Sequence, residues 1–85
     1  MTYQIEFKTR AKKELARVPK EFAQKIIVEI ASLAQNPRPN GCKKLVGAEY
    51  TYRIRVGDYR VIYTLFEQQL IIEVIKIGHR KEVYK

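Results

Sequence analysis

Residues 50–77 constrain this chain most. Tyr50 to Val56 and Tyr59 to Phe66 are rich in β-branched and aromatic residues, as strands are. Gly57-Asp58 between them reads as a two-residue hairpin turn. Glu67-Gln68-Gln69 makes the next turn, and Leu70 to Ile77 is almost wholly apolar apart from Glu73 and Lys76. Such a run is expected in the middle of a sheet, covered on both faces. Upstream, Tyr3, Ile5 and Phe7 alternate with polar residues as a first strand. Thr9 is expected to cap a short helix through Val18, with Ala11, Leu15 and Val18 on one side. Pro19 opens a second helix, in which Phe22, Ile26, Ile30 and Leu33 recur at helical spacing, joined by Ala23, Ile27 and Ala34. It should end near Asn36, because Pro37 disfavours helical geometry just before it. Asn36-Pro37-Arg38-Pro39-Asn40-Gly41 is a loop, and Lys43 to Gly47 leads into the next strand. The order is β-α-α-β-β-β. It predicts an α+β fold, with two N-terminal helices packed on one face of a small, mostly antiparallel sheet. One domain spanning 1–85 is expected from this length.

Composition removes several function classes. The hydrophobic fraction is 46%, that of a globular chain. No apolar run approaches the roughly 20 residues of a membrane span. The segment Met1 to Phe7 lacks the unbroken apolar stretch of a signal peptide, so a cytoplasmic location is expected. Cys42 and His79 are each the only residue of their type. An internal disulfide is therefore impossible, an ordinary His/Cys zinc site cannot be assembled, and a Ser-His-Asp triad has only His79 to use. No metal or cofactor is expected. Lys and Arg number 17 against 9 Asp and Glu, a net charge of +8. That balance favours anionic partners such as nucleic acid or an acidic protein.

The basic residues are patterned. A strand shows alternate side chains to opposite faces. Arg53 and Arg55 therefore share one face, while Tyr52, Ile54 and Val56 take the other. Arg60, Ile62 and Thr64 share a face of the following strand. Regular pairing across Gly57-Asp58 would make Arg55 and Arg60 near neighbours. Like charges that close are unfavourable unless an anion sits between them. Guanidinium matches phosphate oxygens two at a time.

Several segments together resemble the RelE/ParE toxin superfamily, most closely its RelE branch. They are Asn36-Pro37-Arg38-Pro39, Lys44-Leu45-x-Gly47, Tyr52-Arg53-Ile54-Arg55-x-Gly57-x-Tyr59-Arg60-Val61-Ile62-Tyr63 and Ile77-Gly78-His79-Arg80-x-x-Val83-Tyr84. The likeness covers nearly the whole chain. It implies a small endoribonuclease that cuts mRNA in the ribosomal A site, without a cofactor, and is silenced by an antitoxin that wraps it. The expected partners are therefore a cognate antitoxin with an acidic, amphipathic helix, in a hetero-oligomer, together with the ribosome and mRNA. No membrane partner is expected. By position, the resemblance implies catalytic roles for Arg53, Arg55, Arg60, Arg80 and Tyr84. Some relatives carry lysine where this chain has Arg53 and Arg55. Arginine effectively cannot lose its proton, so these positions hold phosphate rather than act as bases.

RNA carries its own nucleophile, the 2′-hydroxyl. An enzyme need only remove that proton, stabilise charge on the phosphoryl oxygens and protonate the leaving 5′-oxygen. The arginines suit the second task. Tyr84 is the expected proton acceptor, because nearby guanidinium charge favours phenolate. His79 is the rival base, its ordinary pKa being suited to neutral pH. Lys43, Lys44, His79 and Lys81 are candidate substrate-binding residues. The alternative function, from a different class, is that of a ParE-like inhibitor of DNA gyrase with no nuclease activity. Such an inhibitor has no need to assemble the Arg53, Arg55, Arg60, Arg80 and Tyr84 set.

Overall fold

The structure, a computed structural model, describes residues 2–81. The elements are β1 (Gln4–Phe7), α1 (Thr9–Arg17), α2 (Lys20–Ser32), β2 (Lys43–Lys44), β3 (Thr51–Val56), β4 (Tyr59–Phe66) and β5 (Ile71–His79). The strands form one five-stranded sheet in the order β1-β5-β4-β3-β2. Pairing is antiparallel throughout except between β1 and β5, which run parallel. The α+β architecture is the one expected, with one strand more. Lys43–Lys44 pairs with Arg53 and Tyr52 as a short edge strand.

The helices cover one sheet face. Ala11 of α1 and Ile26 and Ile30 of α2, with Leu33 just beyond, are buried against Tyr52, Ile54, Val61, Tyr63, Leu65, Ile72, Val74 and Ile77. This is the apolar stripe of α2 meeting the inward side chains of β3, β4 and β5. Phe22 and Ile27, expected in that stripe, lie at its margins and are 42% and 49% exposed. Phe22 instead meets the Tyr59 ring, with centroids 5.8 Å apart.

The helix ends differ from expectation for identifiable reasons. Thr9 is not the cap of α1 but its first residue. Lys8 precedes it in extended geometry, because its N–H is engaged by the Val74 carbonyl at 2.9 Å. The α-geometry of α2 stops at Ser32, and Leu33, Ala34 and Gln35 continue toward Asn36 through tighter bonds to residues three back. The Ala34 carbonyl then accepts the Tyr3 N–H at 2.8 Å, which ties the helix exit to the start of β1.

The loop after α2 is fastened to the sheet. The Tyr63 hydroxyl donates to the Pro37 carbonyl at 2.7 Å. Arg38 lies over the Tyr52 ring, 5.5 Å from its centroid, donates Nε to the Tyr52 hydroxyl at 3.1 Å and pairs with Glu67. Burial pushes the Tyr63 phenol well above its ordinary pKa, with the neighbouring Cys42 adding to it, so Tyr63 stays protonated and serves as a donor.

Strand β5 was expected to be covered on both faces, and it is not. It is flanked by β1 and β4, but Ile72, Val74 and Ile77 are buried while Glu73 and Lys76 are partly exposed on the opposite face. The pairing with β4 shows why. Ile62 faces Lys76 and Tyr63 faces Val74, so Ile75 is an extra residue, a β-bulge. Regular alternation through Ile75 would carry on from Ile72 and Val74 and send Lys76 inward. With the bulge, Ile77 turns to the core and Lys76 turns away.

Candidate functional site

The face of the sheet away from the helices is cationic. In one row across four strands stand Lys43, Arg53, Ile62 and Lys76, each directly opposite the next. In the next row, toward the turn at Gly57-Asp58, stand Arg55, Arg60 and Gly78. Directly opposed residues hold their Cβ atoms about 5 Å apart, so Arg55 and Arg60 are the close pair expected from the sequence. Ile62 is 7% exposed yet lies outside the helix-side core cluster. It forms an apolar floor among the cationic stems.

The hairpin turn organises this end. Gly57 has φ +61, and no non-glycine residue in the turn has positive φ. A single left-handed residue at the first central position is the pattern of a type II′ hairpin turn. Its backbone oxygens face the arginines. Arg55 donates Nε to the Gly57 carbonyl at 3.0 Å, and Arg60 donates Nη1 to the Tyr59 carbonyl at 3.3 Å. The Arg80 N–H donates to the Asp58 carbonyl at 2.8 Å. That bond continues the ladder one step past His79, which pairs with Tyr59. Arg80 thus has the parity of Gly78 and shares the face of Arg60.

Arg60 carries the most informative atom of the site. Its Nε is buried and has no hydrogen-bond partner among the described residues. A buried charged donor left unpaired is costly. Beside Arg55 it is doubly so, since no carboxylate neutralises the pair at these register positions. An anion bridging the two guanidinium groups would remove both costs. Among the described residues there is no cluster of three His, Cys, Asp or Glu side chains that could hold a metal ion.

Not every residue singled out from the sequence reaches this face. Lys43 does, opposite Arg53, whereas Lys44 pairs with Tyr52 and has the opposite parity. His79 lies on the helix side, edge-on to the Tyr59 ring at 5.7 Å between centroids. Its Nδ1 accepts the Lys81 N–H at 3.3 Å. Both the side of the sheet and that hydrogen bond separate the imidazole from the arginine pair. Lys81 is exposed. Tyr84 lies outside the described residues. Lys76 was not picked out from the sequence, although a signal was present. Glu73 and Lys76 are three apart, an odd spacing that puts two charged residues on one face only if the strand gains a residue between them.

Fold and face together define a small, basic α+β protein that concentrates guanidinium groups on an open sheet. Residues 5–84 match the family described as the ParE toxin of type II toxin-antitoxin system, parDE. The chain belongs to that family, within the RelE/ParE superfamily. It is 33% identical to a putative toxin RelE1 of Methanocaldococcus jannaschii, over 100% of this chain and 98% of the relative. It is 27% identical to the mRNA interferase toxin RelE of Escherichia coli, over 99% of this chain and 92% of the relative. The fold superposes on the RelE–RelB complex structure from Pyrococcus horikoshii with a TM-score of 0.84 at 30% identity, covering 98% of this chain and 100% of that one. The superfamily resemblance read from the residues is borne out.

Proposed function

We propose that this protein is the toxin of a type II toxin–antitoxin system and acts as a ribosome-dependent endoribonuclease on mRNA in the A site. One observation carries the reading: the directly opposed Arg55–Arg60 pair, with the buried Arg60 Nε unpartnered, built on the fold of proteins named RelE. In this mechanism the scissile phosphate bridges Arg55 and Arg60, with Arg53 and Arg80 beside it. The 2′-oxygen attacks phosphorus as Tyr84, in its phenolate form, takes the 2′-hydroxyl proton. The bond from phosphorus to the 5′-oxygen breaks. Arg80 neutralises the charge on the departing oxygen, which takes a proton from water and leaves as a 5′-hydroxyl. The other product end is a 2′,3′-cyclic phosphate. The nucleophile belongs to the substrate and the charge stabilisation to the guanidinium groups, so the reaction is metal-independent.

The partner that silences it is an antitoxin with an acidic, amphipathic helix, in keeping with the RelE–RelB complex to which the fold is similar. Charge complementarity to a +8 chain favours such a partner. The second reading, gyrase inhibition, is favoured only by the ParE name of the matching family. It leaves the cationic face without a task. Expression without the antitoxin separates the two. Incorporation of labelled amino acid should fall within minutes while plasmid supercoiling stays normal. Intact translation with lost supercoiling would overturn the proposal in favour of the gyrase reading.

A further inference from the structure

A second cationic site lies on the other side of β5. Where β1 ends at Phe7, the edge of β5 opens beside α1, leaving a cleft of about 500 Å³. Arg10, Glu14, Arg17, Tyr59, Lys76 and His79 line it. Among the described residues that line it, the one acid is already spent. Glu14 Oε2 accepts from Arg10 Nε at 3.3 Å, and Glu14 Oε1 accepts the Ile77 N–H at 2.9 Å. That second bond is why Glu14 sits here, since it caps a strand-edge donor that β1 no longer reaches. Arg17 has no carboxylate partner among the described residues. The Lys81 N–H donates to His79 Nδ1, which leaves Nε2 as the ring's donor toward the cleft. The cleft is therefore lined by donors, with Tyr59 as a half-buried aromatic wall.

The cleft is also continuous with the cationic face. Lys76 has the parity of that face and still borders the cleft, and Gly78 and His79 look to opposite sides of one strand. A polyanion bound across Arg55 and Arg60 meets further cations by turning around the edge of β5. We infer that the cleft between α1 and the edge of β5 is a second phosphate subsite, holding an RNA phosphate outside the scissile linkage through Arg17, Arg10 and His79. This rests on the RNA-cleaving reading above. Continuity with the face that holds the scissile phosphate makes RNA a better fit than an acidic peptide.

Binding, rather than cleavage, tests it. The probes are a single-stranded oligoribonucleotide blocked at its 2′-oxygens, empty ribosomes, and ribosomes programmed with a blocked mRNA, each titrated over a range of salt. Arg17 is exposed, so Arg17→Ala should fold. It should weaken binding roughly tenfold, the scale of one charge-assisted hydrogen bond. It should also flatten the dependence of log affinity on log salt by about 0.7 for a single-stranded contact. Lys25→Ala on α2, which removes the same charge away from the cleft, should do neither. A loss on the free oligonucleotide and on programmed ribosomes alone assigns the phosphate to mRNA. An equal loss on empty ribosomes assigns it to ribosomal RNA. Arg17→Ala binding like Lys25→Ala in every arm overturns the subsite. Weakened antitoxin binding with unchanged RNA binding overturns it in favour of an acidic peptide. The cleavage reading fails separately, if the wild-type protein binds RNA and cuts none.

Discussion

Arg60→Ala should slow single-turnover cleavage on mRNA-programmed ribosomes by about 10²-fold or more, the usual cost of losing one preorganised charge-stabilising donor. The reason is local. Arg60 stands directly opposite Arg55, its Nη1 is held by the Tyr59 carbonyl, and its Nε is buried without a partner. Such a group gains most when negative charge grows on a phosphoryl oxygen beside it. Removing it also relieves like-charge repulsion with Arg55, so thermal stability should hold or rise. Loss of rate with retained stability is thus the signature of a catalytic residue. Arg60→Lys should recover only part of the rate, because an ammonium lacks the planar pair of donors. Full activity in Arg60→Ala would remove the arginine pair from the mechanism.

Ile77→Asp should abolish stable folding. Ile77 is 1% exposed and part of the core. It pairs with Val61 just beyond the bulge at Ile75, which turns it inward and Lys76 outward. Burying an unpaired carboxylate and losing a core isoleucine together rival a total stability of about 5–15 kcal/mol. Circular dichroism of the purified variant should show no cooperative thermal transition at the wild-type midpoint. Deleting Ile75 should be far milder. It joins Val74 to Lys76 and leaves a regular strand with Val74 inward, Lys76 outward and Ile77 inward, so that variant should still melt cooperatively. Ile77→Asp melting like the wild type would show that residue 77 does not face the core.

Much of this architecture was legible because residue type and period agreed. Tyr52 to Val56 alternates cleanly, so the faces of Arg53 and Arg55 followed from parity alone. The hairpin at Gly57-Asp58 fixed the register that brings Arg55 to Arg60. The missed features are those where a tertiary partner decides. Strand β2 is two lysines with no apolar alternation, and only pairing with Arg53 and Tyr52 makes it a strand. The start of α1 moved because Val74 claims the Lys8 N–H, a bond between residues distant in sequence. Nothing local in α1 marks Glu14, whose role comes from accepting the Ile77 N–H at the free edge of β5. His79 and Arg80 are adjacent, and their separation onto opposite faces depends on the ladder continuing to Asp58. The role of Tyr84 rests on its place in the family pattern and on the chemistry of phenolate.

The products of the reaction test the central claim most directly. Purified protein is added to ribosomes carrying a defined mRNA with a vacant A site, and the ends of the fragments are identified by mass spectrometry. The reaction is then repeated after EDTA treatment, with ribosomes stabilised by polyamine. Fragments ending in 2′,3′-cyclic phosphate and beginning with 5′-hydroxyl should appear in both, fast with the wild type and slowly with Arg60→Ala. Tyr84→Phe should be slowed as well, while His79→Ala keeps the chemical step. Uncut mRNA, 5′-phosphate ends, or cleavage abolished by EDTA on intact ribosomes would contradict the account.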